Sequence, residues 1–134
     1  MKKDKKNSVL IVDDERSSIA ILSHALKSEY TVYVAKNGLE AIEAAEKHLP
    51  DTILLDILMP GMDGYAVLSA LKKSEKTKEI PVIFVTGLAS IGDEEKGLAL
   101  GAADYLVKPC SPGIVKLRVA NQIKMLKQRM PAEE

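Results

Sequence analysis

The sequence predicts an α/β fold: a doubly wound parallel sheet of about five strands with about five helices on its two faces. Three observations predict it. Short β-branched runs alternate with longer segments whose apolar residues recur every three and four positions, the pattern of βα units. The short runs are nearly continuous in apolar residues rather than alternating, as burial on both faces requires. And 134 residues at 46% apolar content amount to one domain's worth of chain.

The elements follow in order. SVLIV (8–12) is an apolar run ended by two acids, and ERSSIAILSHALKSE carries Ile19, Leu22 and Leu26 on one helical face. TVYVA (31–35) is the second strand. NGLEAIEAAEKHLP repeats helical spacing through Leu39, Ile42, Ala45 and Leu49, and Pro50 marks its end. TILL (52–55) is the third strand, after which Asp63 is placed to cap a helix through Tyr65, Leu68 and Leu71. The polar KKSEKTKE stretch returns the chain to PVIFV (81–85). A weaker helix, 91–100, holds Gly92 and Gly97; each costs about 1 kcal/mol against alanine, so this helix is expected to be the least rigid. AADYLV (102–107) is the fifth strand, and SPGIVKLRVANQIKMLKQRM is a long last helix entered through Ser111 and Pro112. Its stripe of Val119, Ile123, Leu126 and Met130 runs beyond what a small sheet needs, so a second copy of the chain or a linker to an output domain is expected against it, ahead of the alternative that the stripe merely caps the core. Residues 1–7 read as a flexible basic tail, 8–126 as the domain, and 127–134 as the helix end, linker and tail.

Charge and composition narrow the function. Lysine plus arginine and aspartate plus glutamate number 19 each, so no global field selects nucleic acid or an anionic membrane. The first apolar run breaks at Asp13, too short for a signal-peptide core, and nothing approaches the roughly 18 apolar residues of a membrane span. Cys110 stands alone, which precludes an internal disulfide and suits a reducing compartment. A soluble cytoplasmic chain with no direct nucleic-acid or membrane partner is expected.

In such a sheet, right-handed crossovers place functional groups at the carboxyl ends of the strands. Those ends carry Asp13 and Asp14, then Asp56, Thr86 and Lys108. Asp13 and Asp14 alone would read as a loop start or helix cap. Three acids converging on one rim repel one another unless a cation holds them, and hard oxygen ligands suit Mg2+. Gly87 leaves room beside Thr86 for a donor molecule to approach. In DILMPGMDG (56–64) the preceding apolar strand then serves as a rigid mount for a reactive acid.

VDD near the start, DILMPGMDG, VTG and YLVKP, in that order and at those strand ends, resemble the receiver domain of two-component response regulators over most of the chain, Val9 to Leu126. The resemblance implies a flavodoxin-like strand order 2-1-3-4-5. It implies Asp56 as phosphoacceptor, and Asp13, Asp14, Asp56 and the backbone carbonyl of Leu58 as the magnesium pocket. Thr86 becomes the switch hydroxyl, Tyr105 the switch aromatic, Lys108 the phosphate-pairing cation, and Lys108-Pro109 a cis peptide. Expected partners are a sensor histidine kinase or histidine phosphotransfer protein, and an output domain or protein partner reached through residues 91–128. A carboxylate can act as nucleophile toward a phosphoryl group when charge on both is neutralised, so turnover of external substrates is not expected.

Three other readings are weaker. A haloacid-dehalogenase-like phosphatase wants a second acid two residues past the nucleophile, where Leu58 stands. A flavin or nucleotide module wants a glycine-rich first loop in place of VDDERSS. A phosphorylation-independent interaction module has no use for the intact set of Asp13, Asp14, Asp56, Thr86 and Lys108. Leu58 and Leu88 are apolar where many receivers carry water-positioning side chains, which predicts slow loss of phosphate. His24 and His48 read as surface residues without a relay or metal role.

Overall fold

Hydrogen bonding assembles β1 (Ser8–Val12), β2 (Thr31–Ala35), β3 (Thr52–Leu55), β4 (Val82–Thr86) and β5 (Asp104–Val107) into one parallel sheet ordered β2-β1-β3-β4-β5. The helices α1 (Arg16–Leu26), α2 (Gly38–His48), α3 (Gly64–Lys73), α4 (Ile91–Ala99) and α5 (Pro112–Arg129) connect the strands and cover both faces. The strand order and doubly wound architecture are those expected. The computed structural model describes residues 6–129; most of the expected basic tail, the expected stripe residue Met130 and the chain end after it lie outside the described residues. Among the described residues no helix is long and apolar enough to cross a membrane.

The pleat sorts alternate residues into two cores. Leu10, Val12, Ile53, Leu55 and Phe84 point to the face covered by α2 and α3, against Ala41, Ala45, Leu68 and Leu71. Val9, Ile11, Leu54, Ile83 and Val85 point to the other, against Leu22 and Leu26 of α1 and Val115, Val119 and Ile123 of α5. Each such leucine or isoleucine contributes about 1.5–3 kcal/mol by leaving water. Central strand β3 is buried along its whole length.

Side-chain caps start four helices: Asn37 accepts Glu40 N–H at 2.9 Å, Asp63 accepts Ala66 N–H at 3.0 Å, Ser90 accepts Asp93 N–H at 3.0 Å and Ser111 accepts Ile114 N–H at 3.0 Å. Helix α1 has no such cap; its first residue follows Glu15, whose side chain makes no cap bond. The acids before it are therefore spent on something else.

Three expectations are corrected. On α2, Leu39 and Leu49 are exposed by 67% and 52%, and the inner face is Gly38, Ala41 and Ala45. Small residues let this helix lie close: a Cβ on Gly38 would stand 2.8 Å from Met62 Cβ. On α5, Val119 and Ile123 lie in the core, so this part of the stripe is covered within the chain and the exposed apolar residues are Ile114, Leu117 and Met125. Strand β5 starts at Asp104 rather than 102 because Gly101, at φ +111°, and the Ala102 N–H bond to Gly97 O keep those residues in the turn out of α4.

Candidate functional site

Sheet hydrogen bonds run one residue past the strands and fix the backbone of each group at the rim. Asp13 N–H bonds Ala35 O at 3.2 Å, Asp56 N–H bonds Val12 O at 3.0 Å, and Lys108 N–H bonds Thr86 O at 2.8 Å. Asp13 and Asp56 are 1% and 5% exposed, while Asp14 faces solvent. One carboxylate oxygen from each of Asp13, Asp14 and Asp56 lies within 4.8 Å of the others.

Lys108 reaches into this cluster from the end of β5. Its Nζ donates to Asp13 Oδ2 at 2.8 Å, to Ser18 Oγ at 3.0 Å and to Asp56 Oδ2 at 3.2 Å. The remaining oxygens are also held: Glu15 N–H donates to Asp13 Oδ1 at 2.9 Å and Leu58 N–H to Asp56 Oδ1 at 3.2 Å. Both carboxylates are thus oriented from two sides. Burial pushes the Asp13 carboxyl above its ordinary range, against the hydrogen bonds from Lys108 and Glu15, and the Asp56 charge adds to the rise. Burial opposes the charged form of Lys108, but its hydrogen bond to Asp13 and the charges of Asp56 and Asp13 outweigh it, so the ammonium is stabilised.

The loop after Asp56 turns at Gly61, φ +76°, and closes through Gly64 N–H to Ile57 O at 2.9 Å. A Cβ on Gly64 would collide with the Asp56 carbonyl and stand 2.7 Å from Ile57 Cα, so this glycine permits α3 to start directly against the acid's backbone. The Leu58 side chain points outward, 56% exposed. The Lys108-Pro109 peptide is cis.

Thr86 is fully buried at the end of β4, and its Oγ1 accepts Leu88 N–H at 3.4 Å. Gly87 is exposed, with nothing within 4 Å of where a Cβ would be. Tyr105 lies inward at 6% exposure, packs edge-on to Phe84 at 5.9 Å and donates its hydroxyl to Leu88 O at 2.8 Å. Leu88 therefore bonds Thr86 through its N–H and Tyr105 through its carbonyl.

Sequence reasoning missed Ser18, Glu15 and Tyr65. Ser18 lies in the first turn of α1, close behind the acids that end β1. Tyr65 follows Gly64; its hydroxyl donates to Asp93 O at 3.2 Å, and Lys96 Nζ sits 4.3 Å from its ring centroid, tying α3 to α4.

Residues 9–120 match the family described as the response regulator receiver domain. The chain belongs to that family. It is similar to the response regulator PleD of Caulobacter vibrioides, 42% identical over 112 residues that make up 83% of this chain and 25% of PleD. It is 41% identical over 117 residues, 87% of this chain and 26% of the relative, to the Vibrio cholerae protein named "Probable cyclic di-GMP phosphodiesterase". This receiver domain therefore spans about a quarter of the length of those curated relatives. Its fold is similar to the chemotaxis response regulator CheY4 of Vibrio cholerae, with TM-score 0.82, 32% identity, and coverage of 88% of this chain and 99% of that one. It is similar too to the CheY-like receiver domain protein of Methanospirillum hungatei JF-1, with TM-score 0.87, 26% identity, and coverage of 94% and 100%.

A receiver domain is a signalling switch of two-component systems and does not turn over external substrates. Its all-oxygen acidic cluster fits a hard divalent cation such as Mg2+, which accepts one or two carboxylates and retains open positions.

Proposed function

We propose that this receiver domain accepts a phosphoryl group on Asp56 from the phosphohistidine of a sensor kinase or phosphotransfer protein, and that the modification changes its output contacts. The reading rests chiefly on one observation: Lys108 Nζ bridges Asp13 and Asp56 within a three-acid cluster. Asp13, Asp14, Asp56 and the Leu58 carbonyl would hold Mg2+. When bound, the ion neutralises negative charge where the two anionic reactants meet.

The chain's own residues then account for the chemistry. Asp56 is held still at the end of a fully buried strand and presents a carboxylate oxygen as nucleophile, which needs no general base. That oxygen forms the new bond to phosphorus as the phosphorus–nitrogen bond of the donor breaks, its electron pair returning to the imidazole nitrogen. Lys108 keeps an ammonium against the oxygens of the transferred group, and Gly87 keeps the approach open. The Thr86 hydroxyl leaves Leu88 N–H for a phosphoryl oxygen. Because Leu88 also accepts from Tyr105, the same movement frees the aromatic ring and α4 to repack, a two-state element that phosphorylation biases.

On this reading residues 8–126 form the receiver domain of a cytoplasmic protein, with 1–7 as a tail and 127–134 leading toward an output unit. Output passes through residues 91–128 to a joined domain, a protein partner or a second copy.

The test is incubation with acetyl phosphate and Mg2+ followed by intact mass. A single phosphate adduct is expected in the wild type, not formed when the Mg2+ is chelated beforehand and absent from Asp56→Asn. An adduct that persists in Asp56→Asn, or steady hydrolysis of phosphate esters, would overturn the assignment.

A further inference from the structure

The Lys108 ammonium has three hydrogens, and three acceptors surround it: Asp13 Oδ2 at 2.8 Å, Ser18 Oγ at 3.0 Å and Asp56 Oδ2 at 3.2 Å. Two of these are carboxylates that the proposed reaction engages, Asp13 at the cation and Asp56 at the phosphoryl group. Ser18 is the acceptor that the reaction leaves alone. Its hydroxyl is itself oriented, because it donates to Glu15 Oε1 at 3.2 Å and so turns a lone pair toward Lys108. From this geometry we propose that Ser18 is a positioning residue, an uncharged anchor on α1 that holds the Lys108 ammonium in place while Asp13 and Asp56 change partners. The proposal rests on the phosphoacceptor reading above and adds a residue to it.

Lysine needs such an anchor because its ammonium is a mobile, strongly hydrated charge on a flexible stem. The Lys108 side chain is 21% exposed, so water competes for any hydrogen left without a fixed acceptor. With Ser18 holding one N–H, the other two stay directed into the pocket as the carboxylates are withdrawn. Glu15 lies 3.6 Å from Nζ but is 63% exposed, so its direct ion pair is weak and its main use is to orient the serine. Ser18 also sits inside α1, where alanine is the better helix former, so removing the hydroxyl does not threaten the fold.

The test compares wild type, Ser18→Ala and Ser18→Thr by three measurements: the rate of adduct formation with acetyl phosphate and Mg2+, Mg2+ affinity by calorimetry, and exchange of the Lys108 ammonium protons by nitrogen-15 NMR. Ser18→Ala is expected to slow phosphorylation about tenfold, as loss of one hydrogen bond to a charged group implies, and to speed ammonium exchange. Mg2+ affinity should stay within about twofold and Ser18→Thr should recover the rate to within about threefold, the signature of an interaction that matters mainly in the reacting complex. A wild-type rate in Ser18→Ala overturns the proposal. So does a slow threonine variant, or a Mg2+ affinity that falls in step with the rate. A wild type that takes up no phosphate at all is a different failure, since it removes the phosphoacceptor reading itself.

Discussion

Gly97 lets α4 lie on the sheet, and replacing it tests how closely that helix is seated. It is the buried residue of α4. A Cβ there would stand 3.0 Å from Phe84 Cδ2, 3.1 Å from Phe84 Cε2 and 3.2 Å from Tyr105 Cδ2, all inside ordinary van der Waals distance. Neither ring can yield easily: Phe84 is fully buried between Tyr65 and Tyr105, with ring centroids at 5.7 and 5.9 Å. Helix propensity alone favours Gly97→Ala by about 1 kcal/mol, whereas overpacking a close-packed core costs about 1–3 kcal/mol. The net expectation is a loss of about 1 kcal/mol, or about 3–4 °C in melting temperature for a chain of this size. Gly92 supplies the control, for it is exposed and a Cβ there would find only Ser90 Oγ, at 3.8 Å. Gly92→Ala should gain about 0.5–1 kcal/mol. Urea unfolding followed by circular dichroism, with slopes checked for constancy, separates the two. If Gly97→Ala stabilises as much as Gly92→Ala, the close approach of α4 is not a constraint and the argument fails.

Burial, followed by the neighbouring Tyr65 phenol and then the charges of Asp93, Glu94 and Asp56, pushes the Tyr105 hydroxyl up to about 12. A raised phenol pKa means that the folded state keeps a proton the unfolded state has already lost. Stability is therefore full below pH 10 and declines toward about 12, a decline that Tyr105→Phe should lessen in alkaline unfolding curves. Thr52 is fully buried and its hydroxyl has no hydrogen-bond partner among the described residues, so Thr52→Val should raise stability by about 1 kcal/mol in thermal unfolding. An unchanged or lower melting temperature would show that the hydroxyl is satisfied after all. Leu58→Asn, which puts an amide beside Asp56 able to orient water, should shorten the lifetime of the phosphorylated state about tenfold, read as decay of the mass adduct; equal lifetimes would remove the idea that Leu58 protects the phosphate.

Much of the fold was legible because its strands are buried on both faces. Continuous runs such as SVLIV, TILL and YLV leave little choice of period, and Asp13, Asp56 and Lys108 stand out as the first charges after them. What escaped was decided by residue size and by distant contacts. On α2 the large Leu39 and Leu49 suggested the inner face, but the residues buried there are the small Gly38, Ala41 and Ala45, with Ile42 packed partly beside them. The same bias made Gly97 look like a weakness, when its missing side chain is what Phe84 requires. On α5 the length of the stripe suggested a partner for Val119 and Ile123, which the chain's own core takes up. Ser18 meets Lys108 across 90 positions, and no local pattern announces a pairing of that kind.

The groups gathered at the rim come from the ends of β1, β3, β4 and β5 and from the first turn of α1, and none comes from edge strand β2 or from α2. The connection between α1 and β2 enters the sheet at the end opposite that rim, so an insertion there stays away from the reacting groups. Doubling a flexible loop there costs only about 0.6 kcal/mol of closure entropy, with the reacting atoms left where the central strands put them. An added tag, sensor or tether belongs at that edge.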